Sequence, residues 1–337
     1  MKKFLLTLVT VATLVGCAND ELIDLQQEAI NFDNAFVDNA TRAALDQTYT
    51  TDNLDEFSVY ATITNASSAT ANIFKGERVV KGNSLGQGTN WSYNASNTQY
   101  WIAGNTYNFR AIAVGTKGAK VDGAIEVVAT EADKYMASAI NLLDASKQAD
   151  ILLAEDLDVT YTSGPKTIYF TFAHLLSKVK FTFNNTISTD NGYSYKVSNI
   201  MINGTAKNGV YTIGEATPWG AAATPETYNL SFGNGVATSN DAGAAATEIA
   251  YNSSVESNWE RLLIPSNEVR NITFTTQLLK DGVVIDEQPR TINTAAIELE
   301  AGSAYNFVVE LGNPGEPIQF DVTKVNGWVV ESDTDLN

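Results

Sequence analysis

The sequence predicts an all-β protein with minor helix, arranged as two β-sandwich domains in tandem. Several segments alternate apolar and polar residues with a period of two, which is typical of half-buried strands. Gly, Asn and Asp interrupt these segments at intervals of about ten residues, as in sandwich proteins. The chain has 337 residues, which is enough for about two domains of ordinary size.

In the first half of the chain, residues 57–63 and 107–114 alternate most clearly, and the second segment follows a turn at residues 103–105. The stretch 131–154 is where one helix, or two short ones, is expected. A Gly-Pro pair cannot lie inside a central strand. The loop-like stretch 161–165, which ends in such a pair, therefore predicts the domain boundary.

In the second half, strands are predicted at residues 167–172, 179–183 and 305–309. Residues 271–279 and 283–285 flank Lys280-Asp281-Gly282. An Asp-Gly pair between two β segments predicts a hairpin. The Ala301-Gly302 turn before the last strand repeats the Ala103-Gly104 turn of the first half.

The first 17 residues are predicted to be a lipoprotein signal peptide. A basic start, Met1-Lys2-Lys3, precedes an apolar run at residues 4–15, which is too short to span a bilayer because a helix needs roughly 20 residues. Small residues before Cys17, the only cysteine of the chain, resemble the lipobox of bacterial lipoproteins. An ordinary signal peptide with an incidental cysteine is the alternative. The chain is therefore expected to be exported and anchored in outer-membrane lipid through Cys17.

The composition argues against several classes of function. A formal net charge of −18 at pH 7 disfavours a nucleic-acid partner, since phosphates need basic side chains. If Cys17 carries lipid, the mature chain has no thiol for a disulfide, a metal site or a nucleophile. The only histidine, His174, lies in an apolar context and is expected to be structural. Neither a catalytic residue nor a metal or cofactor is predicted, and the chain is not expected to be an enzyme.

A cluster of carboxylates near the middle of the chain is the one candidate for a glycosidase pair or a calcium site. It consists of Glu155, Asp156 and Asp158. The cluster lacks the residue order of a calcium-binding loop. A solvated acidic turn is therefore the better interpretation.

Four motifs have a pattern known from one family. They are residues 150–154 with 170–181, Tyr100-Trp101 with 104–109, residues 299–307, and the early segment 40–43. Together they resemble the fimbrillin family, the type V pilins and pilin-like lipoproteins of certain Gram-negative anaerobes. The resemblance spans most of the chain. It implies two transthyretin-like β-sandwich domains, maturation by cleavage after an arginine, and polymerisation by strand exchange.

Arg42 is the predicted processing site, with Ala43 as the first residue after the cut. The surrounding stretch is rich in Asn, Asp, Thr and Ala, and is expected to be extended and accessible to a trypsin-like protease. Arg42 also separates an N-terminal strand candidate from the first domain. An ordinary surface arginine is the alternative.

The two ends of the chain carry similar segments. Ile30, Phe32 and Val37 recur with the same spacing as Ile318, Phe320 and Val325. Ile and Phe two residues apart lie on one face of a strand. The first segment is predicted to be a displaced strand. The segment 317–330, which includes Trp328, is predicted to be a donor strand that pairs with another copy by β-augmentation. Chance similarity is the alternative, because Ile-x-Phe is common in β-rich proteins.

The predicted function is a structural subunit of a cell-surface fimbrium, which reaches the outer membrane through the periplasm and serves adhesion to a host or bacterial surface. Its partners would be other pilin subunits. The predicted parts are the signal peptide 1–17, a pro-segment with a removable strand at 18–42, and β-sandwich domains at 43–165 and 166–337. The alternative function is a monomeric surface lipoprotein that binds glycans through exposed aromatics. Its candidate residues, which alternate in strands and so also suit a core, are Trp91, Tyr93, Tyr100 and Trp101.

Overall fold

The computed structural model of the chain consists almost entirely of β-strands. It describes residues 27–37, 53–115, 126–131, 134–138, 150–206, 211–212, 219, 225–230, 247–256, 261–265, 271–293 and 297–326. Within these ranges the helical structure is limited to a 3₁₀ turn at Ala95–Asn97. The all-β class is therefore confirmed. In the same ranges there is no helix with the length and apolar character that crossing a membrane requires.

The strands in chain order are β1 (Asn31–Val37), β2 (Glu56–Thr64), β3 (Thr70–Lys81), β4 (Gly86–Gln87), β5 (Trp91–Asn94), β6 (Thr106–Gly115), β7 (Glu126–Glu131), β8 (Lys134–Ser138), β9 (Asp150–Thr160), β10 (Thr167–His174), β11 (Ser177–Asn185), β12 (Tyr193–Ala206), β13 (Tyr211–Thr212), β14 (Pro225–Leu230), β15 (Thr247–Ile249), β16 (Ser254–Glu256), β17 (Arg261–Leu263), β18 (Asn271–Lys280), β19 (Val283–Asn293), β20 (Ser303–Leu311) and β21 (Gln319–Asn326).

One eight-stranded sheet, the N-terminal sheet, forms the first half of the fold. Its strand order is β1-β10-β9-β6-β2-β3-β5-β4, and β1 also pairs with β5. The sheet therefore closes on itself through β1. Alternate side chains of these strands point inward and form one core, which includes Phe57, Phe109 and Phe170.

Two five-stranded sheets form the second half. The first has the order β16-β11-β20-β21 with β17 also on β11, and the second has the order β14-β12-β18-β19 with β15 also on β12. Phe183 of the first and Phe274 of the second meet with ring centroids 5.2 Å apart. This half is therefore a β-sandwich, in which β21 is at the edge of the described strands. Strands β7, β8 and β13 form a separate three-stranded sheet.

The same turn, a glycine followed three residues later by a tyrosine, occurs in both halves of the fold. Gly104 and Gly302 both have positive φ angles, 81° and 66°. Three residues after each glycine a tyrosine hydroxyl accepts a backbone N–H: Tyr107 from Ile102 at 2.7 Å, and Tyr305 from Glu300 at 2.8 Å. A tyrosine that fixes the chain at the start of a core strand is a known device of β-sandwiches.

The hairpin expected at Lys280-Asp281-Gly282 is confirmed. Lys280 of β18 is opposite Val283 of β19, so the loop has two residues. Asp281 and Gly282 have φ angles of 49° and 78°. Two positive φ angles match the type I′ turn that joins twisted antiparallel strands.

The helix expected within 131–154 is wrong for the described part of that stretch, because β8 and the start of β9 occupy it. β9 is a central strand with both faces covered. Ile151 and Leu153 belong to the core shared with the second half, whereas Leu152 and Ala154 belong to the N-terminal core. A strand buried on both faces is continuously apolar, so its sequence does not alternate.

The boundary expected at residue 165 lies within the N-terminal sheet. Residues 161–166 connect β9 to β10, and these two strands pair antiparallel. Gly164, with φ of 80°, is in a hairpin connection and not in a linker between domains. The chain leaves the N-terminal sheet between His174 and Ser177, at the buried pair Leu175-Leu176.

Candidate functional site

Strand β1 fills the gap between β10 and β5. It runs parallel to β10 over residues 31–37. On its other side Phe32 pairs antiparallel with Trp91 of β5. The residues just before β1 pair antiparallel with the segment that follows β5, since Ile30 N donates to Gln99 O at 2.9 Å and Ala29 forms a bridge with Tyr100. Without β1 the sheet would have an open groove with an unpaired strand on either side, which we call the β1 groove.

The inward face of β1 is part of the N-terminal core. Ile30, Phe32, Ala35 and Val37 are at most 6% exposed. The ring of Phe32 lies 5.7 to 6.3 Å from the rings of Phe74, Tyr93, Phe109 and Phe170. Full burial of a large apolar side chain stabilises a fold by about 1.5–3 kcal/mol. The three residues predicted as a displaced strand therefore lie together in one buried segment, which consists of Ile30 and the strand β1 that follows it directly.

A bulge at Asn34 sets which residues of β1 face inward. Asn34 has φ of 46°, and its N–H donates to Asp33 Oδ1 at 2.7 Å. The register with β10 shifts at the same point. Ala35 and Val37 consequently face the core, while Phe36 is 51% exposed. Asn is among the few residues that adopt a positive φ at modest cost.

Three side chains of β4, β5 and the loop between them bind β1 and the residue before it through polar contacts. Gln87 Nε2 donates to Asn31 Oδ1 at 2.8 Å, and Asn90 Nδ2 donates to both carboxylate oxygens of Asp33 at 3.1 Å. The buried Tyr93 hydroxyl donates to the carbonyl of Ile30 at 2.8 Å. Burial raises the pKa of Tyr93 to about 12. Sequence reasoning missed Gln87 and Asn90, since neither belongs to a recognisable pattern.

The predicted processing and lipidation sites lie outside the described residues. These are Arg42, Ala43 and Cys17. The described part of β1 ends at Val37, five residues before Arg42 in the sequence.

The predicted donor segment forms β21 in its own domain. β21 pairs antiparallel with β20 over residues 319–326, and its other edge has no strand partner among the described strands. Ile318 and Phe320 are partly buried against the core, and the Phe320 ring stacks on Phe307 at 5.9 Å. Val325 is opposite Ala304 in the pairing, and Trp328 lies outside the described residues.

The two end segments match in structure over four residues only. Ile30-Asn31-Phe32-Asp33 and Ile318-Gln319-Phe320-Asp321 both alternate, and both aspartates accept the N–H of the next residue, at 2.7 and 2.8 Å. Beyond this point β1 has its bulge, whereas β21 alternates regularly so that Val322 faces the core. The shared spacing of Val37 and Val325 is therefore not accompanied by a shared backbone register, since β1 has a register shift and β21 has none over residues 319–326.

The other candidate residues have structural surroundings. His174 Nδ1 lies 2.9 Å from a carboxylate oxygen of Asp150, and both side chains are buried. Glu155 accepts from Arg110 Nε at 2.7 Å across β6 and β9. Burial raises the pKa of Asp156. The described residues contain no cluster of His, Cys, Asp and Glu suited to a metal ion.

The aromatic platform of the glycan-binding alternative does not form on the surface. Trp91, Tyr93 and Trp101 are 5% exposed or less, and of the four candidates only Tyr100, at 43%, is exposed. Trp101 stacks on Tyr161 at 5.1 Å inside the N-terminal core. These residues alternate because they pack in the core.

Solved structures similar to this chain include fimbrial proteins and putative cell adhesion proteins. A fimbrial protein from Bacteroides vulgatus superposes with a TM-score of 0.59 at 13% sequence identity, covering 90% of this chain and 100% of its own. The fimbrial anchor protein Mfa2 from Porphyromonas gingivalis has a TM-score of 0.34 at 11% identity, with coverage of 90% and 98%. Only the first of these two is close enough to support the fold assignment. No curated protein sequence matches the chain. The fimbrillin-like family matches residues 41–328, which is most of the sequence, and the chain therefore belongs to the fimbrillin-like family.

Proposed function

We propose that the protein is a structural subunit of a cell-surface fimbrium that assembles by strand exchange at the β1 groove. In this proposal the chain is exported as a lipoprotein through Cys17 and is cut after Arg42. A C-terminal strand of another subunit then replaces β1. Membership of the fimbrillin-like family supports the fimbrial role. Adhesion is the expected purpose of the assembled fibre.

The observation that carries the proposal is the position of β1 relative to Arg42. β1 precedes Arg42 in the sequence, whereas every other strand of the described residues follows it. A cut after Arg42 would therefore leave β1 attached by non-covalent contacts alone. In the uncut chain, the covalent connection gives β1 a high effective concentration at its own groove. A cut after Arg42 removes this advantage of β1 over a competing strand from another subunit.

The contacts of β1 are strong enough to hold a strand in the groove. A strand of similar sequence could form the same contacts and so replace β1. Burial of Ile30, Phe32 and Val37 contributes roughly 5–9 kcal/mol as an upper value. A strand with Ile and Phe at the same spacing would make comparable contacts and form the same backbone pairs with β10 and β5. Exposed strand edges readily accept such a partner.

β21 is suited to be the incoming strand because it is an edge strand in its own domain. Only one of its edges is paired among the described strands, and Phe320 and Val322 are only partly buried. Phe32 in the β1 groove is 2% exposed. Transfer of β21 into the groove of a neighbour would therefore bury Phe320 more completely, at the expense of its pairing with β20.

The proposal is tested by replacing the processing residue in the full chain in the producing cell. We expect Arg42→Ala to give exported monomers without fibres in electron micrographs. Arg78→Ala is the matched control. The Arg78 side chain is also exposed but lies within β3, paired with Glu56. The control should form normal fibres, and normal fibres from Arg42→Ala would contradict maturation at this residue.

A further inference from the structure

We propose that the apolar tip of the β18–β19 hairpin packs against the next subunit of the fibre, beside the end of the β1 groove where the incoming strand enters. The hairpin tip consists of Val283, Val284 and Ile285. Its acceptor surface consists of Tyr100 and Ile102 of another copy. This inference rests on the strand exchange proposed for this protein, and it adds a second contact between the same two subunits.

The hairpin tip is an apolar surface at the edge of the described strands. Val283, Val284 and Ile285 are each at least 44% exposed. Ile285 is the extra residue of a bulge in β19, since the register with β18 shifts at this point. A bulge at the edge of a sheet changes the direction of a side chain. Single exposed apolar side chains are ordinary on a protein surface, whereas contiguous ones mark contact sites.

The incoming strand has to run in the direction of β1. Its Ile318 and Phe320 follow each other in the same order as Ile30 and Phe32, so the strand lies parallel to β10 when they fill the same places. The chain before Ile318 therefore leaves the groove at the Ile30 end. The subunit that supplies the strand lies beyond this end.

The connection between that subunit and its strand is short. Asn313 is bound to the second half of the fold, since the N–H and the hydroxyl of Ser188 donate to Asn313 Oδ1 at 3.0 and 3.1 Å. These bonds do not involve β21, so they can persist after its transfer. Ile318 follows five residues after Asn313. Five residues in full extension span at most about 18 Å, so the second half of one subunit lies close to the groove end of the next.

The hairpin tip lies near this connection. The Tyr195 hydroxyl of β12 donates to the carbonyl of Gly312 at 2.8 Å. Tyr195 is opposite Leu278 of β18, and Leu278 is opposite Asp286, the residue that follows the tip. The backbone of Asp286 is thus two strand spacings, about 10 Å, from that of Tyr195. Burial raises the pKa of Tyr195, and the nearby carboxylates of Glu316 and Asp286 raise it further.

The acceptor surface flanks the same end of the groove. Residues 99–101 run antiparallel to residues 28–30, with backbone hydrogen bonds at both ends and a bridge between them. Side chains alternate along this segment, so Trp101 is buried while Tyr100 and Ile102 are exposed. When the incoming strand replaces residues 28–30, the connection before it passes beside these two exposed side chains. The hairpin tip of the supplying subunit is then within reach of them.

Charges beside the two surfaces are complementary. Lys166 lies next to the acceptor surface, since its carbonyl accepts the Trp101 indole N–H at 3.1 Å and its ammonium is 6.0 Å from the centre of the Trp101 ring. Asp286 follows the hairpin tip and is exposed, and the neutral Gln288 amide donates to it at 2.9 Å. Opposite charges at the rim of an interface select the partner. Two hairpin tips in contact would instead bring two Asp286 carboxylates together.

The test uses a short bismaleimide crosslinker on fibres with two engineered thiols in each subunit. Fibres would be purified from cells that produce the full chain with Ile102→Cys and Ile285→Cys. Cys17 is absent from the proposed fibre, so the engineered cysteines are its only thiols. Both replaced side chains are exposed, so the monomer should fold normally.

Ile102→Cys with Thr291→Cys is the matched control. Thr291 is also exposed on β19 but follows six residues after Ile285, which is about 20 Å along a strand. Chains with only one of Ile102→Cys and Ile285→Cys test contacts between like surfaces. The first pair in the uncut Arg42→Ala monomer measures crosslinking without assembly.

We expect the Ile102 and Ile285 pair to give covalent multimers on denaturing gels in a yield at least about tenfold above that of the control pair. The single-cysteine chains and the Arg42→Ala monomers should give none. Val284→Asp in the parent chain should make the fibres dissociate at a lower temperature than Thr291→Asp does, because it places a charge in the apolar contact.

Equal yields from the two cysteine pairs would overturn the docking proposal while leaving strand exchange intact. Multimers from either single-cysteine chain in the yield of the first pair, or equal dissociation temperatures of the two aspartate variants, would do the same. Parent chains that form no fibres, or fibres that retain residues 18–42, would refute the proposed function and this inference with it.

Discussion

At the scale of single residues, the two tyrosine corners give the clearest link between sequence and stability. Tyr107 and Tyr305 are buried, and each hydroxyl accepts one backbone N–H at the start of a core strand. Burial raises the pKa of both phenols. The corners are therefore fixed by neutral hydroxyls throughout the physiological pH range.

We expect Tyr107→Phe and Tyr305→Phe each to lower the free energy of unfolding by about 1–2 kcal/mol, because each leaves a backbone N–H without its acceptor. The two changes should be nearly additive, since they lie in different halves of the fold. Denaturant unfolding of the full chain measures both. Tyr169→Phe is the control, since Tyr169 is 56% exposed. A loss no larger than that of the control would show that the corners do not stabilise the fold.

Tyr93 gives a prediction about alkaline pH. Its pKa in the folded protein is about 12, against 10.0 for an ordinary tyrosine. Between these values the unfolded chain loses the phenolic proton and the folded chain does not. The stability contributed by the buried neutral phenol is therefore complete below pH 10 and is lost as the pH rises towards 12.

The expected loss is about 3 kcal/mol at most, from two pKa units. Unfolding curves measured from pH 8 to 12 should become less pH-dependent in Tyr93→Phe than in the parent chain. Equal slopes in the two proteins would contradict this role for Tyr93.

The polar contacts around β1 could not be predicted from the sequence. The sequence pattern indicated Ile30 and Phe32 because apolar alternation is a local signal. Gln87 and Asn90 carry no such signal, since their contacts with Asn31 and Asp33 join residues more than fifty positions apart. The bulge at Asn34 was also not predicted, although Asn is a favourable residue for a positive φ.

At the scale of elements, loss of β1 packing should lower the stability of the whole N-terminal core. Phe32 contacts four other aromatic rings and is 2% exposed, whereas Phe36 on the same strand is 51% exposed. We expect Phe32→Ala to destabilise the uncut chain by about 3–5 kcal/mol.

Phe36→Ala should cost less than about 0.5 kcal/mol, because it removes an exposed side chain. Thermal unfolding of both variants, with hydrogen exchange of the β1 amides, gives the comparison. Similar losses from the two substitutions would mean that β1 does not pack as described.

Local chemistry explains which elements could be predicted. The Asp281-Gly282 hairpin followed from its turn residues because a two-residue loop specifies both strands that it joins. β9 was mistaken for part of a helix because burial on two faces removes the alternation of a strand. The parallel pairing of β1 with β10 joins residues about 135 positions apart, as Asn31 and Thr167 show, and nothing local in the sequence encodes it.

At the scale of the whole molecule, two sheet systems share a buried junction. The N-terminal sheet contributes Ile112, Ile151 and Leu153 to the core cluster that is built mainly from the second half. The turn-like stretch 161–165 suggested a boundary because hairpin loops and linkers use the same residue types. The actual change of sheet, at Leu175-Leu176, is apolar and buried, and so lacks the features of a linker.

The predicted lipid anchor concerns the precursor as a whole. Cys17 is the only thiol of the chain, so Cys17→Ser removes the only atom that could form a thioether with lipid. We expect this variant to take up no labelled fatty acid and to fail to reach the surface. Label retained on the variant would place the lipid elsewhere.

In the proposed fibre, each subunit has lost β1 and holds a neighbour's strand in its place. Intact-mass measurement of subunits from purified, dissociated fibres distinguishes this exchange from assembly with β1 retained. We expect a single chain that starts at Ala43, with no residues 18–42 in the fibre. Subunits that still contain Ile30 and Phe32, whether covalently attached or as a bound peptide in equal amount, would contradict it.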